Sequence, residues 1–196
     1  MIEFGTLILV ILIGYGLGSI PFGYVFAKLG GHGDIRDIGS GNIGTTNVLR
    51  TGSKFLALLT LLADVGKGFA AIAIANYMVG QSGMFLAALA VLIGHLFPVW
   101  LNFKGGKGVA VYVGVMLALS PLTGLFAIGA WIVAALVSRK SSLAALAMIV
   151  LVLPLLFLLG EYTSAYVAIV MGALIFRAHR ENIARLRDGS EPKIFA

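Results

Sequence analysis

Long, uninterrupted apolar runs dominate this sequence and constrain its fold more than any other feature. A membrane-spanning helix needs about 20 apolar residues, and most of the runs approach that length. With 60% hydrophobic and only 11% charged residues, the chain lacks the polar surface of a soluble domain. Runs without alternation favour helices, so the sequence predicts an all-α integral membrane protein. The runs lie near residues 4–27, 55–79, 84–103, 108–119, 122–138, 142–159 and 164–177.

The distribution of positive charge supports a count of seven transmembrane helices. If the N-terminus is outside, all fourteen Lys and Arg residues fall in inner segments or within a few turns of them. The outer connections, near 76–84, 118–123 and 159–164, contain no cation. We therefore expect an outer N-terminus and a cytoplasmic C-terminus. Five or six helices are the alternative, because the runs 108–119 and 164–177 are short and could re-enter the membrane. No internal repeat is visible, so a single domain over 1–196 is predicted.

The largest polar cluster lies at residues 39–50 and predicts a phosphate site. Three glycines, two asparagines, a serine and two threonines fall within residues 39–47, where no apolar period runs. Glycines allow successive backbone N–H groups to converge on an anion, and Thr45 or Thr46 would then cap a helix. Arg50 follows Thr46 by four residues, so both side chains can face one ligand. The alternative is an ordinary flexible loop with a helix cap.

Two further polar groups flank other apolar runs on the predicted inner face. Gly105 and Gly106 allow close backbone approach, and Lys107 adds positive charge, although a short basic turn would have the same composition. His179 and Asn182 are three residues apart and share a helical face. Whether these two bind substrate or only anionic lipid stays open here, whereas Arg185 and Arg187 are interpreted as contacts to lipid headgroups.

Asp64 and Lys67 lie inside the second apolar run, where an isolated charge is costly. Their spacing predicts that they pair with each other and face the bundle interior. The sequence leaves open whether this pair is structural or contacts a substrate.

Several common catalytic patterns are absent. Gly108 stands where a Walker A motif needs Ser or Thr, so a nucleotide is not an expected partner. A nucleic acid is not expected as a partner either. Gly39-Ser40-Gly41 is not a nucleophile elbow, cysteine is absent, and three scattered histidines predict no metal site and no cofactor. His32 and Asp37 have the H-x-x-x-x-D spacing of acyltransferases that use acyl-CoA or acyl carrier protein. Because no strands alternate with helices here, we interpret that spacing as a coincidence.

Together these segments resemble the bacterial acyl-phosphate glycerol-3-phosphate acyltransferases, the PlsY family. Residues 39–50 resemble the first motif, 63–68, 94–100 and 103–110 look like further signatures, and 179–183 resembles the C-terminal one. The resemblance covers nearly the whole chain in the expected order. It implies seven transmembrane helices in the bacterial inner membrane and an active site facing the cytoplasm. The implied reaction transfers an acyl group from acyl phosphate to the sn-1 hydroxyl of glycerol 3-phosphate, giving lysophosphatidate and phosphate.

The resemblance also implies roles for individual residues. It does not decide whether His179 acts as a base or only holds phosphate. Glu181 matches a position that looks structural, and Val111 stands where a threonine is expected, which puts one polar contact in doubt. The pocket is expected to comprise Ser40, Arg50, Lys107, His179 and Asn182 as catalytic residues, with Asn42, Thr45, Thr46, Gly105, Gly106 and Ser142 binding substrate or phosphate.

A membrane carrier of a small phosphorylated anion is the alternative function. Such a carrier would share the helices, the cations and the glycine breaks. Carriers commonly place the site near the midplane between repeated halves. Here the polar groups lie to one side and no repeat is visible, which favours the acyltransferase.

Overall fold

The computed structural model describes residues 3–194, and it is built from α-helices with no β-strand in that range. Three short 3₁₀ turns, Ile35–Asp37, Gly80–Gly83 and Val99–Leu101, lie between helices. The all-α prediction is confirmed. The helices are α1 (Phe4–Ser19), α2 (Phe22–Leu29), α3 (Thr45–Leu49), α4 (Lys54–Val79), α5 (Met84–Leu96), α6 (Val109–Leu119), α7 (Pro121–Ser138), α8 (Ser141–Leu158), α9 (Tyr162–Ala178) and α10 (Arg180–Arg187).

Every predicted apolar run forms α-helix, but one run is interrupted and another ends earlier than predicted. The run 4–27 divides into α1 and α2 at Ile20–Pro21, because proline lacks the N–H that a continuous helix needs and disfavours helical geometry in the residue before it. The run 84–103 is helical only as far as Leu96, two residues before Pro98. Turns are present at Ser120, between α6 and α7, and at 159–161, between α8 and α9, within the predicted outer connections near 118–123 and 159–164.

Within residues 3–194, length and composition make four helical stretches suitable for crossing a membrane: 4–29, 54–101, 121–138 and 141–158. The second stretch contains both α4 and α5. Two further apolar helices, α6 and α9, are shorter. Large apolar side chains point outward, as in Leu136 (70% exposed) and Leu158 (83% exposed), which suits contact with lipid rather than water. The count of seven spans stays a prediction.

The chain forms two compact units, one ending at Val115 and the other beginning at Met116. In the first unit, α1 packs against α5 through small residues. A Cβ atom on Gly18 would lie 2.1 Å from the carbonyl oxygen of Val91, and one on Gly94 would lie 2.3 Å from that of Tyr15. Glycine therefore permits the close backbone approach that stabilises helix pairs in lipid.

Asp64 and Lys67 form the buried pair that their spacing predicts, with Nζ 2.7 Å from Oδ1 and both side chains at most 3% exposed. Lys67 also donates a hydrogen bond to the Ile20 carbonyl at 2.8 Å. That carbonyl lies at the break between α1 and α2, where Pro21 interrupts the helical hydrogen-bond ladder. The pair therefore stabilises a helix break, which supports a structural role.

In the second unit, α7 and α8 form a helical hairpin, and α9 packs against α8. The Ser120 hydroxyl lies 2.8 Å from the Thr123 hydroxyl and 2.9 Å from the Glu161 carboxylate, which ties the two predicted turns to each other. The short helix α10 contacts α8 and α9. This packing places the C-terminal polar residues beside the start of α8.

Candidate active site

The loop from Asp34 to Gly44 begins with an ion pair that fixes its first turn. The Asp34 carboxylate caps the 3₁₀ turn by accepting from the Arg36 backbone N–H at 2.9 Å, and it also accepts from the Arg36 guanidinium. These hydrogen bonds lower the pKa of Asp34 to about 2. The Arg36 charge is thereby neutralised within the loop. Gly39 and Gly41 then adopt φ values of +57° and +68°, a region that favours glycine.

Asn47, in α3, holds this loop in place, and no sequence motif singled it out from its neighbours. Its amide donates to the carbonyls of Ile35 and Ile38, both at 2.9 Å. Its oxygen accepts from the Ser40 N–H at 3.0 Å, from the Ser40 hydroxyl at 3.3 Å and from Arg50 Nη1 at 3.2 Å. The two carbonyls can only accept, so they fix which amide atom faces them. Asn47 thus holds Ser40 and Arg50 together.

Arg50 lies at the C-terminal end of α3, exposed, with its guanidinium over Gly39. A Cβ atom on Gly39 would lie 2.7 Å from Arg50 Cδ and 2.8 Å from Nη1, so only glycine leaves room for the side chain there. Within residues 3–194, no carboxylate forms an ion pair with Arg50. The charge of Arg50 is therefore not neutralised by the protein, and Ser40 lies beside it.

Two details of the predicted phosphate loop are wrong. Gly44, not a threonine, is the N-cap of α3, because the helix already begins at Thr45. The predicted backbone nest is also not formed at Ser40 and Gly41, since the Ser40 N–H donates to Asn47 and the Gly41 N–H donates to the Ile38 carbonyl. The loop instead presents side chains. The buried Asn42 Oδ1 and Thr45 Oγ1 make no hydrogen bond within the described structure, so both are suited to a ligand.

The second glycine loop, which runs from Lys104 to Gly108, folds back onto the end of α5. The N–H groups of Gly105 and Gly106 donate to the carbonyls of Leu96 and His95, both at 3.0 Å, and so satisfy carbonyls that a helix end leaves without partners. A Cβ atom on Gly106 would lie 2.1 Å from His95 Nε2. The close approach predicted for these glycines is therefore made to the protein itself.

This fold-back leaves Lys107 half-buried directly after Gly106. Val111, which replaces the threonine expected from the resemblance, is fully buried in α6. Its carbonyl oxygen would lie 2.5 Å from a Cβ atom on Gly68 of α4. Val111 therefore contributes to helix packing.

In the second unit, the structure brings Ser142 and Asn182 together through Glu191. One carboxylate oxygen of Glu191 accepts from the Ser142 hydroxyl at 2.5 Å and from the Asn182 amide at 2.6 Å. The other accepts from Arg185 Nε at 2.7 Å. We call these four residues the tail clamp. Burial acts to raise the pKa of Glu191, but the three donors outweigh it and lower the pKa below its usual value.

His179, three residues before Asn182, lies at the junction of α9 and α10 and is 3% exposed. Its Nδ1 lies 2.8 Å from the Ile175 carbonyl oxygen, which can only accept, so Nδ1 carries a proton. In the neutral ring Nε2 is then the basic nitrogen. Glu181, expected to be structural, is instead 72% exposed and lies 3.6 Å from Arg180.

Two pairs of site residues are each joined by one buried polar side chain: Asn47 joins Ser40 and Arg50, and Glu191 joins Ser142 and Asn182. Lys107 belongs to neither pair, because it follows the glycines that fold back onto the end of α5. Sequence reasoning missed both Asn47 and Glu191. Asn47 lies inside the recognised motif, whereas no sequence feature distinguishes Glu191 from other acidic residues of the basic tail. Among residues 3–194, no cluster of three or more His, Cys, Asp or Glu side chains could hold a metal ion.

Comparison with known proteins identifies the family. The family model described as glycerol-3-phosphate acyltransferase matches residues 8–189. The chain is 53% identical to the glycerol-3-phosphate acyltransferase of Roseobacter denitrificans, an alignment that covers 93% of this chain and 92% of that protein. It is 49% identical to the enzyme of the same name from Agrobacterium fabrum, over 96% and 92% of the two chains. The chain belongs to the glycerol-3-phosphate acyltransferase family.

Solved structures of this family agree with the fold. The crystal structure of PlsY, an integral membrane glycerol 3-phosphate acyltransferase in its glycerol 3-phosphate form, superimposes with a TM-score of 0.90 at 41% identity and covers 96% of each chain. The lysophosphatidic acid form of PlsY matches with a TM-score of 0.89 at 40% identity, over 96% of this chain and 95% of that one. The predicted membrane acyltransferase of the PlsY family is therefore confirmed, as is its multi-pass character.

Proposed function

We propose that this glycerol-3-phosphate acyltransferase transfers a fatty acyl group from acyl phosphate to the sn-1 hydroxyl of glycerol 3-phosphate. The hydroxyl oxygen bonds to the acyl carbon, the bond from that carbon to the phosphate oxygen breaks, and phosphate leaves with the electron pair. The hydroxyl proton ends on the released phosphate. The products are lysophosphatidate and phosphate. Both substrates carry phosphate, so the site needs cations that the protein has not already neutralised. Arg50, held by a neutral amide, is the observation that carries this proposal.

The chemistry requires positioning and charge stabilisation more than a protein nucleophile, because acyl phosphate is already an activated donor. Ser40, Arg50 and Lys107 are assigned to the phosphate groups, with Asn42, Thr45, Thr46 and Ser142 as further contacts. Gly105 and Gly106 act by fixing the backbone that precedes Lys107. No cofactor is required. His179 presents Nε2 and Asn182 an amide, either of which can bind the reacting hydroxyl or the phosphate.

The direct test is purified protein in detergent with palmitoyl phosphate and glycerol 3-phosphate, assayed for phosphate and lysophosphatidate. Comparable lysophosphatidate from acyl-CoA, with acyl phosphate excluded, would overturn the choice of donor. His32→Ala is the matched control, because the H-x-x-x-x-D spacing is interpreted as a coincidence, and it should retain nearly full activity. Uptake of glycerol 3-phosphate into vesicles without any acyl transfer would favour the carrier instead.

The proposed topology has seven spans in the bacterial inner membrane, an outer N-terminus, and the site on the cytoplasmic side within one functional domain, 1–196. The chain has no cysteine, so single cysteines report position without background. Ser82→Cys and Arg187→Cys replace exposed residues at opposite predicted faces. We expect a membrane-impermeant maleimide to label the first in intact cells and the second only in opened membranes. Labelling of both from one side would exclude an odd number of spans.

A further inference from the structure

The last described segment of the chain, residues 188–194, folds back on the second unit through backbone contacts. Asp188 Oδ1 accepts from the N–H and the hydroxyl of Ser190, and Gly189 adopts a φ of +82°, which turns the chain at the end of α10. The Glu191 N–H then donates to the Arg185 carbonyl at 3.0 Å, and the Ile194 N–H donates to the Arg139 carbonyl at 2.8 Å. These bonds anchor the backbone on either side of the Glu191 side chain.

This fold-back delivers a carboxylate to a position that is almost closed to solvent. The Glu191 side chain is 5% exposed, and its oxygens accept from Ser142, Asn182 and Arg185. A carboxylate buried without donors would be costly, and here every contact is a donor. Ser142 lies in the first turn of α8, where the helix dipole also favours negative charge. The family model ends at residue 189, so Glu191 lies outside the matched segment.

An ionised carboxylate only accepts hydrogen bonds, so it decides how the Asn182 amide is oriented. Nδ2 must face Glu191 at 2.6 Å, and Oδ1 must point away from it. The imidazole of His179, one helical turn earlier, is fixed in the same manner by the Ile175 carbonyl. In both Asn182 and His179, a buried acceptor thus determines which nitrogen faces it with a hydrogen.

We propose that Glu191 is a positioning residue of this acyltransferase: it orients the Asn182 amide and the Ser142 hydroxyl for the substrates. The inference rests on the proposed function, since it assigns Asn182 to that reaction. Glu191 acts through Asn182 and Ser142 and does not touch the reacting atoms. This role requires a hydrogen-bond acceptor at position 191, and the ion pair with Arg185 contributes less to it.

A double-mutant cycle tests this proposal by separating positioning from general stability. We expect Glu191→Ala to lower kcat/KM by about ten- to a hundredfold, and by several-fold less when Asn182→Ala is already present, since Glu191 then acts only through Ser142. Glu191→Gln keeps the volume and one acceptor oxygen, so it should recover activity to within about fivefold of the parent. Lys193→Ala, an exposed neighbour in the same segment, is the matched control and should be unchanged.

The outcomes distinguish failure of the positioning role of Glu191 from failure of the proposed acyl transfer. Equal losses for Glu191→Ala and Glu191→Gln, or equal losses with and without Asn182→Ala, would overturn the positioning role. Full activity of a folded Glu191→Ala variant would do the same. If the parent protein releases no phosphate from acyl phosphate and glycerol 3-phosphate, the proposed function itself fails. Melting temperature and detergent-extracted yield are measured for every variant, and the glutamine variant provides the comparison if the alanine variant does not fold.

Discussion

Asn47 in the first unit and Glu191 in the second have the same structural task and opposite electrostatic consequences. Each is a buried side chain that gathers several polar partners, including a serine and an arginine. Asn47 is neutral, so it holds Arg50 without cancelling its charge. Glu191 is a carboxylate, so it pairs with Arg185 at 2.7 Å and neutralises it.

The difference indicates which cations can serve a phosphate ligand. A guanidinium already paired with a carboxylate would have to exchange that partner for phosphate, whereas one held by an amide oxygen needs only to shed water. Arg36, which pairs with Asp34, resembles Arg185 in this respect. Of Arg36, Arg50 and Arg185, Arg50 is the one whose charge no carboxylate neutralises, which supports the phosphate-binding role proposed for it.

The largest expected effect comes from removing the arginine with the neutral partner. Charge-assisted hydrogen bonds contribute about 1.5–3 kcal/mol each, so Arg50→Ala should lower kcat/KM by roughly tenfold to a thousandfold. Arg50→Lys should recover only part of this, because lysine restores charge without the planar fork. The measurement is kcat/KM for both substrates, with melting temperature as the control. A folded Arg50→Ala variant that keeps most of its activity would exclude the phosphate role.

A second prediction concerns replacing the neutral Asn47 amide by a carboxylate, the group that Glu191 has. Asn47→Asp places a carboxylate beside Arg50 with almost no change in volume, and it also removes the two donors to the Ile35 and Ile38 carbonyls. We expect kcat/KM to fall by about tenfold or more and stability to fall by about 2 kcal/mol, the value of two lost hydrogen bonds. Asp37→Asn, an exposed change in the same loop, should alter neither quantity. Unchanged kcat/KM in folded Asn47→Asp would show that the neutrality of the anchor is irrelevant.

The apolar pattern predicted most of the fold because membrane helices are specified locally. All seven runs became helices, and the buried Asp64–Lys67 pair followed from its three-residue spacing. The break at Ile20–Pro21 was missed because the hydropathy of the run is continuous there. Pro21 was its only signal, and Lys67, which stabilises the break, is 47 residues away in sequence.

The sequence motifs identified residues of the candidate site, but they did not predict the contacts that join those residues. Ser40 and Arg50 were identified, but the residue joining them was not, because Asn47 acts through carbonyls 9 and 12 residues earlier. Glu191 reaches Ser142 across 49 residues, and no periodicity encodes such a contact. Glycines 105 and 106 were assigned to a ligand because their close partner, His95, becomes adjacent only when the loop folds back.

Because Glu191 is a carboxylate, we expect the stability of the tail clamp to depend on pH. The neutral Asn47 amide gives no such dependence. The pKa of Glu191 is lowered by folding from its usual 4.5, so the unfolded chain binds the proton more readily. The clamp therefore contributes stability above pH 4.5 and loses it as the pH falls through the lower pKa of the folded state. We expect the difference in melting temperature between the parent and Glu191→Gln to be largest at pH 7 and to shrink below pH 4.5. A difference that does not change with pH would show that the glutamate charge is not what stabilises the clamp.

The smallest effect is expected for Arg185, whose charge Glu191 already neutralises. Arg185→Ala removes one of three donors to Glu191, but the Ser142 and Asn182 hydrogen bonds remain, so the clamp keeps its geometry. Because the Arg185 charge is already neutralised and the Arg185 side chain is 33% exposed, we expect kcat/KM to change by less than about threefold. Arg187→Ala, two residues further along α10 and exposed, is the matched control and should behave alike. Loss of more than about tenfold in Arg185→Ala alone, at unchanged melting temperature, would mean that a carboxylate-paired arginine still serves the phosphate. The electrostatic distinction between the two anchors would then fail.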